Sequence, residues 1–506
     1  MAVLRTLLVF AALFRSTLSL SRSLVPSSML TVNSKGDVAE LANQTVNGTL
    51  TMSSGASDDF ADVTDMLTSQ RNSSNLAGSI ASGGNASRIS VRKPPEIIRT
   101  REGERDTRLV EQSGLALTTV IYMCALVCLG VSTFFFEWVI RKVYTEDPLL
   151  FCKGNMPNIT GLRGLAMLGV MHNHCKHVIW PYAEHPNSEL RLMGGTCVFV
   201  FFVLSGFLMG LLYINKPFTF SNVWKYAVAR ASRIFPAYWV VVIATSFMSE
   251  NHGLVLSCAM EFRGAAMQLW TVPVEVQFYA IFVFLWWAYS RAGLLPFIFV
   301  FILHLALFII PVSGGPLLDI QECSHCLTRF CALQHVPTFC IGVVLGGRWD
   351  DIVRWFPGGR VLDAVGLLCF IGLPLSEYSR RYWWDDVLVS IGLSKGKLTQ
   401  SLMPMDPLAY LFASGLLVAA AHSTPSLNFL SSRVLILCGN ISFTCYLIHL
   451  QCFNSVALVL DGCPVWLRLV VLMLVSIVIF SIATLSLHFL EEPARRLGKK
   501  FGEKVG

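Results

Sequence analysis

Charge is scarce in this chain: Asp, Glu, Lys and Arg together make 14% of its 506 residues, against 54% that are hydrophobic. That balance excludes a soluble globular protein, which has no use for so much apolar surface. Apolar runs long enough to cross a hydrocarbon core of about 30 Å recur along the sequence and place it among polytopic α-helical membrane proteins. Cysteine is absent before Cys124, although 15 occur in the chain, so the segment ahead of the first long apolar run has no disulfide framework. The net charge of +7 is then read by where the cations fall relative to the spans, not as a signal for nucleic acid.

Residues 1–20 carry Arg5, an apolar core from Leu7 to Phe14 and small residues after it, the pattern of a secretory signal peptide, which Arg15 weakens. Residues 21–114 are rich in Ser, Asn, Gly and Thr and offer sequons at Asn43, Asn47, Asn72 and Asn85. They read as a disordered, glycosylated luminal segment, the sequons counting only in combination with the signal. A first span is expected at 115–139, followed by 160–180, 195–214, 234–250, 273–291, 294–312, 336–347, 361–377, 407–422, 433–457 and 465–490. The expected fold is therefore an all-α polytopic transmembrane helix bundle, one N-terminal span plus about ten more.

With a luminal N-terminal segment, alternation delivers Arg141, Lys142 and Lys153 to the cytosol, then Lys216, Lys225, Arg230 and Arg233, then Arg348, Arg354 and Arg360, and finally a basic tail over 498–506. Those tail cations are placed to meet anionic lipid. The loop 378–406, with Arg380, Arg381, Lys395 and Lys397, dissents from the rule. Cys323, Cys326 and Cys331 fall in an expected luminal loop, where a disulfide can form. The pair Cys323 and Cys326, with His325 and His335 nearby, lacks the second well-spaced pair of a zinc site, so no metal is expected.

Arg163 and His174 stand eleven residues apart in one apolar segment. On a helix that is about three turns, roughly 16 Å of rise with little angular drift, so both project from one face. Ionisable groups at membrane depth are costly and point to a functional site, although an arginine can also snorkel and a histidine can simply bond a neighbouring helix. Further patterns follow in order: Ser205-Gly206-Phe207; Arg230 and Arg233 with Pro236 and Tyr238; Trp270 with Glu275, Gln277, Phe278 and Tyr279; Gly439, Ser442, Tyr446 and His449; and Glu491, Pro493 and Arg495.

Together these resemble the acyltransferase-3 family of integral membrane acyltransferases, over a domain drawn at 158–497. The family's arginine-x10-histidine motif matches Arg163 and His174, and its Arg-Ile-x-Pro-x-Tyr segment matches Arg233, Ile234, Pro236 and Tyr238, with Arg230 upstream. Members commonly have Val-Glu-Glu-Gln-Phe-Tyr where this chain has Val274-Glu275-Val276-Gln277, so only Glu275 takes a role there. The resemblance implies transfer of an acyl group, usually acetyl, from cytosolic acyl-CoA to a carbohydrate or lipid acceptor on or beyond the other face of a secretory-pathway or plasma membrane.

On that reading Arg163, Arg230 and Arg233 bind the donor's phosphates, although the latter two also suit plain membrane anchors. His174 is the general base or an acyl relay, and Glu275 orients it, or is a partly hydrated carboxylate at the interface, or bonds Trp270 or Tyr279. Ser205 reads as a small residue that lets helices approach rather than as a nucleophile. Tyr446 and His449 line an acceptor path or bond across the bundle, and Glu491 with Arg495 forms a helix-end pair of modest worth. Two other classes remain open: a lipid or small-molecule transporter using the arginine-histidine stripe as a proton relay, and a non-catalytic acyl-CoA-binding relative. Some animal relatives have a cysteine-containing extracytoplasmic domain ahead of the bundle, and the cysteine-free N-terminal segment argues against that architecture.

Overall fold

A computed structural model describes residues 101–143, 156–179, 192–248, 255–256, 259–260, 267–308, 311–312, 315–316, 332–379, 407–457, 459–460 and 462–505. The signal segment, the sequons, Cys323, Cys326 and Cys331 and most of the loop 378–406 lie outside the described residues. Within them the protein is an all-α bundle, apart from one antiparallel pairing of Pro311–Val312 with Gly315–Pro316.

The helices are α1 (Arg101–Val143), α2 (Pro157–His174), α3 (Lys176–Ile179), α4 (Leu192–Met209), α5 (Phe220–Met248), α6 (Thr271–Ala292), α7 (Leu295–Phe308), α8 (Ala332–Gly347), α9 (Trp349–Trp355), α10 (Arg360–Ser379), α11 (Pro407–Ala421), α12 (Arg433–Ala457), α13 (Val465–Ser486) and α14 (Glu492–Val505). Each of the eleven expected spans overlaps at least one of these helices, 160–180 being divided between α2 and α3. By length and apolarity six helical stretches suffice to cross a membrane, at 120–142, 194–214, 220–247, 268–292, 433–457 and 465–504. Two sharply bent pairs, α9 with α10 and α11 with the 3-10 turn Pro425–Ser431, raise the number to eight. Phe134, Phe247, Phe284 and Trp466 stand exposed on the outer surface of such helices, as side chains facing lipid tails do. The protein is integral to a membrane.

Several boundaries differ from the sequence reading for physical reasons. α5 begins at Phe220, well ahead of 234, because its cations are turned into protein or along α14 instead of ending the helix. α1 begins at Arg101 rather than 115. The expected span 160–180 is broken after His174: Pro157 occupies the first turn of α2, where its missing N–H costs nothing, and Cys175 ends the helix before α3 starts. The basic tail is not loose, for residues to Val505 continue the last helix, and Gly498 packs on Ser232 of α5.

Two close helix contacts set the frame. α2 lies against α12 where Gly164 meets the backbone of Leu435 and Gly439, and Gly439 in turn meets the backbone of Thr160. α4 lies against α8 through Gly206 and Gly210 on one side and Gly342 and Gly346 on the other, each facing main-chain atoms of its partner. Small residues four apart let helix axes approach until backbones touch, a packing that lipid cannot replace. The first contact fixes the helix that carries Arg163 and His174. The second fixes Ser205.

Candidate functional site

Helix α4 does not end cleanly. It widens into a π turn, Gly210–Ile214, of the kind that recurs at functional sites. That turn places Tyr213 beside the buried guanidinium of Arg230, which lies 5.5 Å from the ring of Tyr213, 5.9 Å from Tyr226 and 5.6 Å from Tyr279. Three aromatic faces around one desolvated guanidinium are attractive through the ring quadrupoles. Tyr226 is itself fixed by donating to the carbonyl of Tyr279 at 3.0 Å. Arg230 is thus caged rather than snorkelling to the surface.

Tyr279 links this cage to the carboxylate. Its hydroxyl donates to Glu275 Oε1, which also accepts from Ser205 Oγ at 2.9 Å. Ser205 therefore does more than give room, which belongs to its neighbour Gly206. Arg163 lies within electrostatic reach of Arg233, Arg495, Glu275 and Tyr279, and Arg233 of Tyr279, Arg495, Arg230 and Glu275. Four arginines and Glu275 thus converge from α2, α5, α6 and α14.

Glu491 completes the group. It sits in a second π turn, Leu487–Glu491, and is fully buried, accepting from Thr444 Oγ1 at 2.7 Å and from Arg495 Nη2 at 2.7 Å. Thr444 is in turn bonded to Ser486 at 2.9 Å. The sequence reading of Glu491 and Arg495 as a modest helix-end pair is corrected: a carboxylate removed from water and held by Thr444 and Arg495 is a structural anchor for Arg495, not a surface ion pair.

His174 stands apart from these groups, about 16 Å of helical rise from Arg163 at the last residue of α2. Its ring centroid is 5.2 Å from that of His449 on α12 and 5.8 Å from that of His177 on α3. The fully buried His449 bonds through Nδ1 to the carbonyls of Tyr446 at 2.8 Å and Cys445 at 3.3 Å. His172, by contrast, is turned to Tyr122 of α1, whose carbonyl its Nε2 meets at 3.1 Å. Glu275 makes no hydrogen bond to His174; its bond to Tyr279 is one of the arrangements left open by the sequence.

The stretch after His174 is clamped by a residue that sequence reasoning missed. Arg468, buried on α13, donates through Nη1 to the carbonyl of Ile179 at 2.7 Å and through Nε to that of Cys463 at 2.8 Å. It thereby satisfies the end of α3 and ties it to the start of α13. Nothing in the local sequence marked Arg468 beyond its being a cation amid apolar residues. Arg468→Leu removes these charge-assisted bonds and leaves a buried carbonyl unpaired, so a loss of about 2 kcal/mol is expected, read as a lowered thermal midpoint of the detergent-solubilised protein. The tyrosine cage likewise carried no sequence signal, since Tyr213 and Tyr226 belong to none of the motifs.

Among the described residues no group of three or more His, Cys, Asp and Glu side chains is placed to hold a metal ion. His335, named above beside the cysteines, packs between Phe202, at 5.1 Å, and Trp270, at 5.6 Å.

A bundle of apolar helices with an arginine cluster and a histidine pair at two stations of one central helix defines an integral membrane protein with a polar site inside it. The profile of the family described as "Acyltransferase domain" matches residues 156–486, and the chain belongs to that family. A Staphylococcus aureus (strain MSSA476) protein bearing the name "Putative O-acetyltransferase" is 24% identical over 396 residues, covering 68% of this chain and 58% of that relative. The O-acetyltransferase OatA of Staphylococcus aureus (strain NCTC 8325) is 23% identical over 397 residues, with the same coverage of 68% and 58%. The chain thus spans less than two thirds of the length of these relatives. No solved structure matches it.

Proposed function

We propose that this protein is a membrane O-acyltransferase that moves an acyl group, most simply acetyl, from acyl-CoA on the cytosolic side to a hydroxyl of a carbohydrate or lipid acceptor on the luminal or extracellular side. The observation that carries the reading is the division of α2 into two stations, Arg163 among arginines and His174 among histidines. A donor with phosphates at one end and a thioester at the other suits that division. Membership of an acyltransferase family and similarity to proteins named O-acetyltransferases support it.

Arg163, Arg230, Arg233 and Arg495 bind phosphate oxygens, for which planar guanidinium forks are suited. Glu275 and Glu491 offset part of their mutual repulsion and fix their directions, so Glu275 acts at the arginine station. At the other station the imidazole of His174 takes the proton of the acceptor hydroxyl as the new O–acyl bond forms. The C–S bond of the thioester breaks, and the proton passes to the thiolate sulfur.

The test incubates membranes holding the protein, and matched membranes lacking it, with acetyl-CoA radiolabelled in the acetyl group. Label in the glycan or lipid fraction of the first alone supports the reading; equal label in both contradicts it. Within the same assay Arg230→Lys keeps the charge but loses the planar fork that spans three rings. We expect the KM for donor to rise about tenfold with kcat little changed.

A further inference from the structure

The pairing of His174 with His449 carries a consequence that rests on the reading of His174 as the transferring group. Carbonyl oxygens only accept, so the bonds from His449 Nδ1 to Tyr446 and Cys445 require the hydrogen to be on Nδ1. Nε2 of His449 is then a lone-pair acceptor. It is buried and has no hydrogen-bond partner among the described residues, and the same holds for Nδ1 of His174. The two rings are 5.2 Å apart between centroids. A buried polar atom left unpaired is costly, and two of them across one gap ask for an explanation.

The charged groups around His174 sharpen the point. Among the described residues, those within electrostatic reach are His449, His177 and Lys176, none of them a carboxylate. Glu275 is held elsewhere by Ser205 and Tyr279. A histidine that works as a base needs its second nitrogen oriented, and in triads a carboxylate does this. Here the described groups within reach offer one acceptor, His449 Nε2, whose tautomer is already fixed by backbone.

We propose that His449 is a positioning residue for His174: its Nε2 accepts the Nδ1–H of His174, across a small ring rotation or one bridging water, and so leaves Nε2 of His174 as the base. During transfer the hydroxyl proton goes to His174 Nε2 as the O–acyl bond forms, and then to the sulfur released when the C–S bond breaks. His449 keeps its own proton on Nδ1 throughout. It steadies the transient imidazolium without exchanging a proton with the substrate.

Two variants of the full-length protein in nanodiscs separate this from a packing role. His449→Phe keeps an aromatic ring and loses the acceptor, whereas His449→Gln keeps an acceptor oxygen and loses the ring. Two readouts are taken: kcat with donor KM, and the rate at which diethyl pyrocarbonate carbethoxylates His174, followed by peptide mass spectrometry. The second needs neither acceptor substrate nor turnover. For His449→Phe we expect kcat to fall about 100-fold with donor KM within about twofold, and carbethoxylation of His174 to slow; His449→Gln recovers much of both. The proposal is overturned if Phe matches the wild type while Gln is impaired, or if carbethoxylation is the same in all three proteins. Should the wild type transfer no acyl group while carbethoxylation still falls with Phe and recovers with Gln, the pairing stands and the transferase reading fails.

Discussion

His174→Ala lowers the rate of acyl transfer by about three orders of magnitude or more while the protein still binds coenzyme A as the wild type does. The split follows from the separation along α2. The arginines proposed to hold the donor's phosphates gather around Arg163, about three helical turns before His174, so removing the imidazole leaves the cationic station untouched. Arg163→Ala should show the converse, a weakened donor affinity from the loss of one of four convergent guanidinium groups. Calorimetric titration with coenzyme A and label transfer from acetyl-CoA, on the same preparations, read the two effects. Wild-type rates with His174→Ala, together with an unfolded Arg163→Ala protein, would mean that the stripe only holds the bundle together.

Gly439→Val is expected to cost about 3–5 kcal/mol and to prevent recovery of a monodisperse protein. A Cβ at Gly439 meets the carbonyl of Thr160 at a separation no real side chain adopts, and the obstacle is backbone, which no rotamer change can move. Relief requires α2 and α12 to part. That displaces His174 from His449 and Arg163 from the arginines at the same time, so activity should fail with stability. Gly130→Ala on α1 is the control, since nothing lies within 4 Å of the added carbon. It should be neutral or stabilise by up to about 1 kcal/mol, the difference in helix preference between the two residues. Thermal midpoints from size-exclusion recovery after heating distinguish the pair of outcomes.

How much of this was legible in the sequence depended on whether a feature is local. The shared face of Arg163 and His174 follows from helical period alone, and the order of motifs along the chain points to the family whose profile it matches. Hydropathy, however, describes a helix as if lipid surrounded it. It therefore cut α5 back to 234, because Lys225, Arg230 and Arg233 look too costly, whereas the structure hides Arg230 among three tyrosines and lays α14 along that stretch. The same blindness made Glu491 half of a modest helix-end pair, when Thr444 and Arg495 hold it inside. The pairing of α2 with α12 is tertiary, so neither the His174 and His449 contact nor the Arg468 clamp had a local signature. Conversely, the break after His174 shows that a continuous apolar run need not be one helix.

The central claim, that a donor docks at the arginine station and reacts at His174 further across the bilayer, is tested most directly by sidedness. Sealed vesicles of both orientations, with acetyl-CoA supplied only outside, are compared before and after permeabilisation. The account predicts labelled product in vesicles whose cytosolic face is outward, and none in the opposite orientation until detergent opens them. Equal labelling in both intact preparations, or labelling confined to those with the luminal face outward, would contradict it.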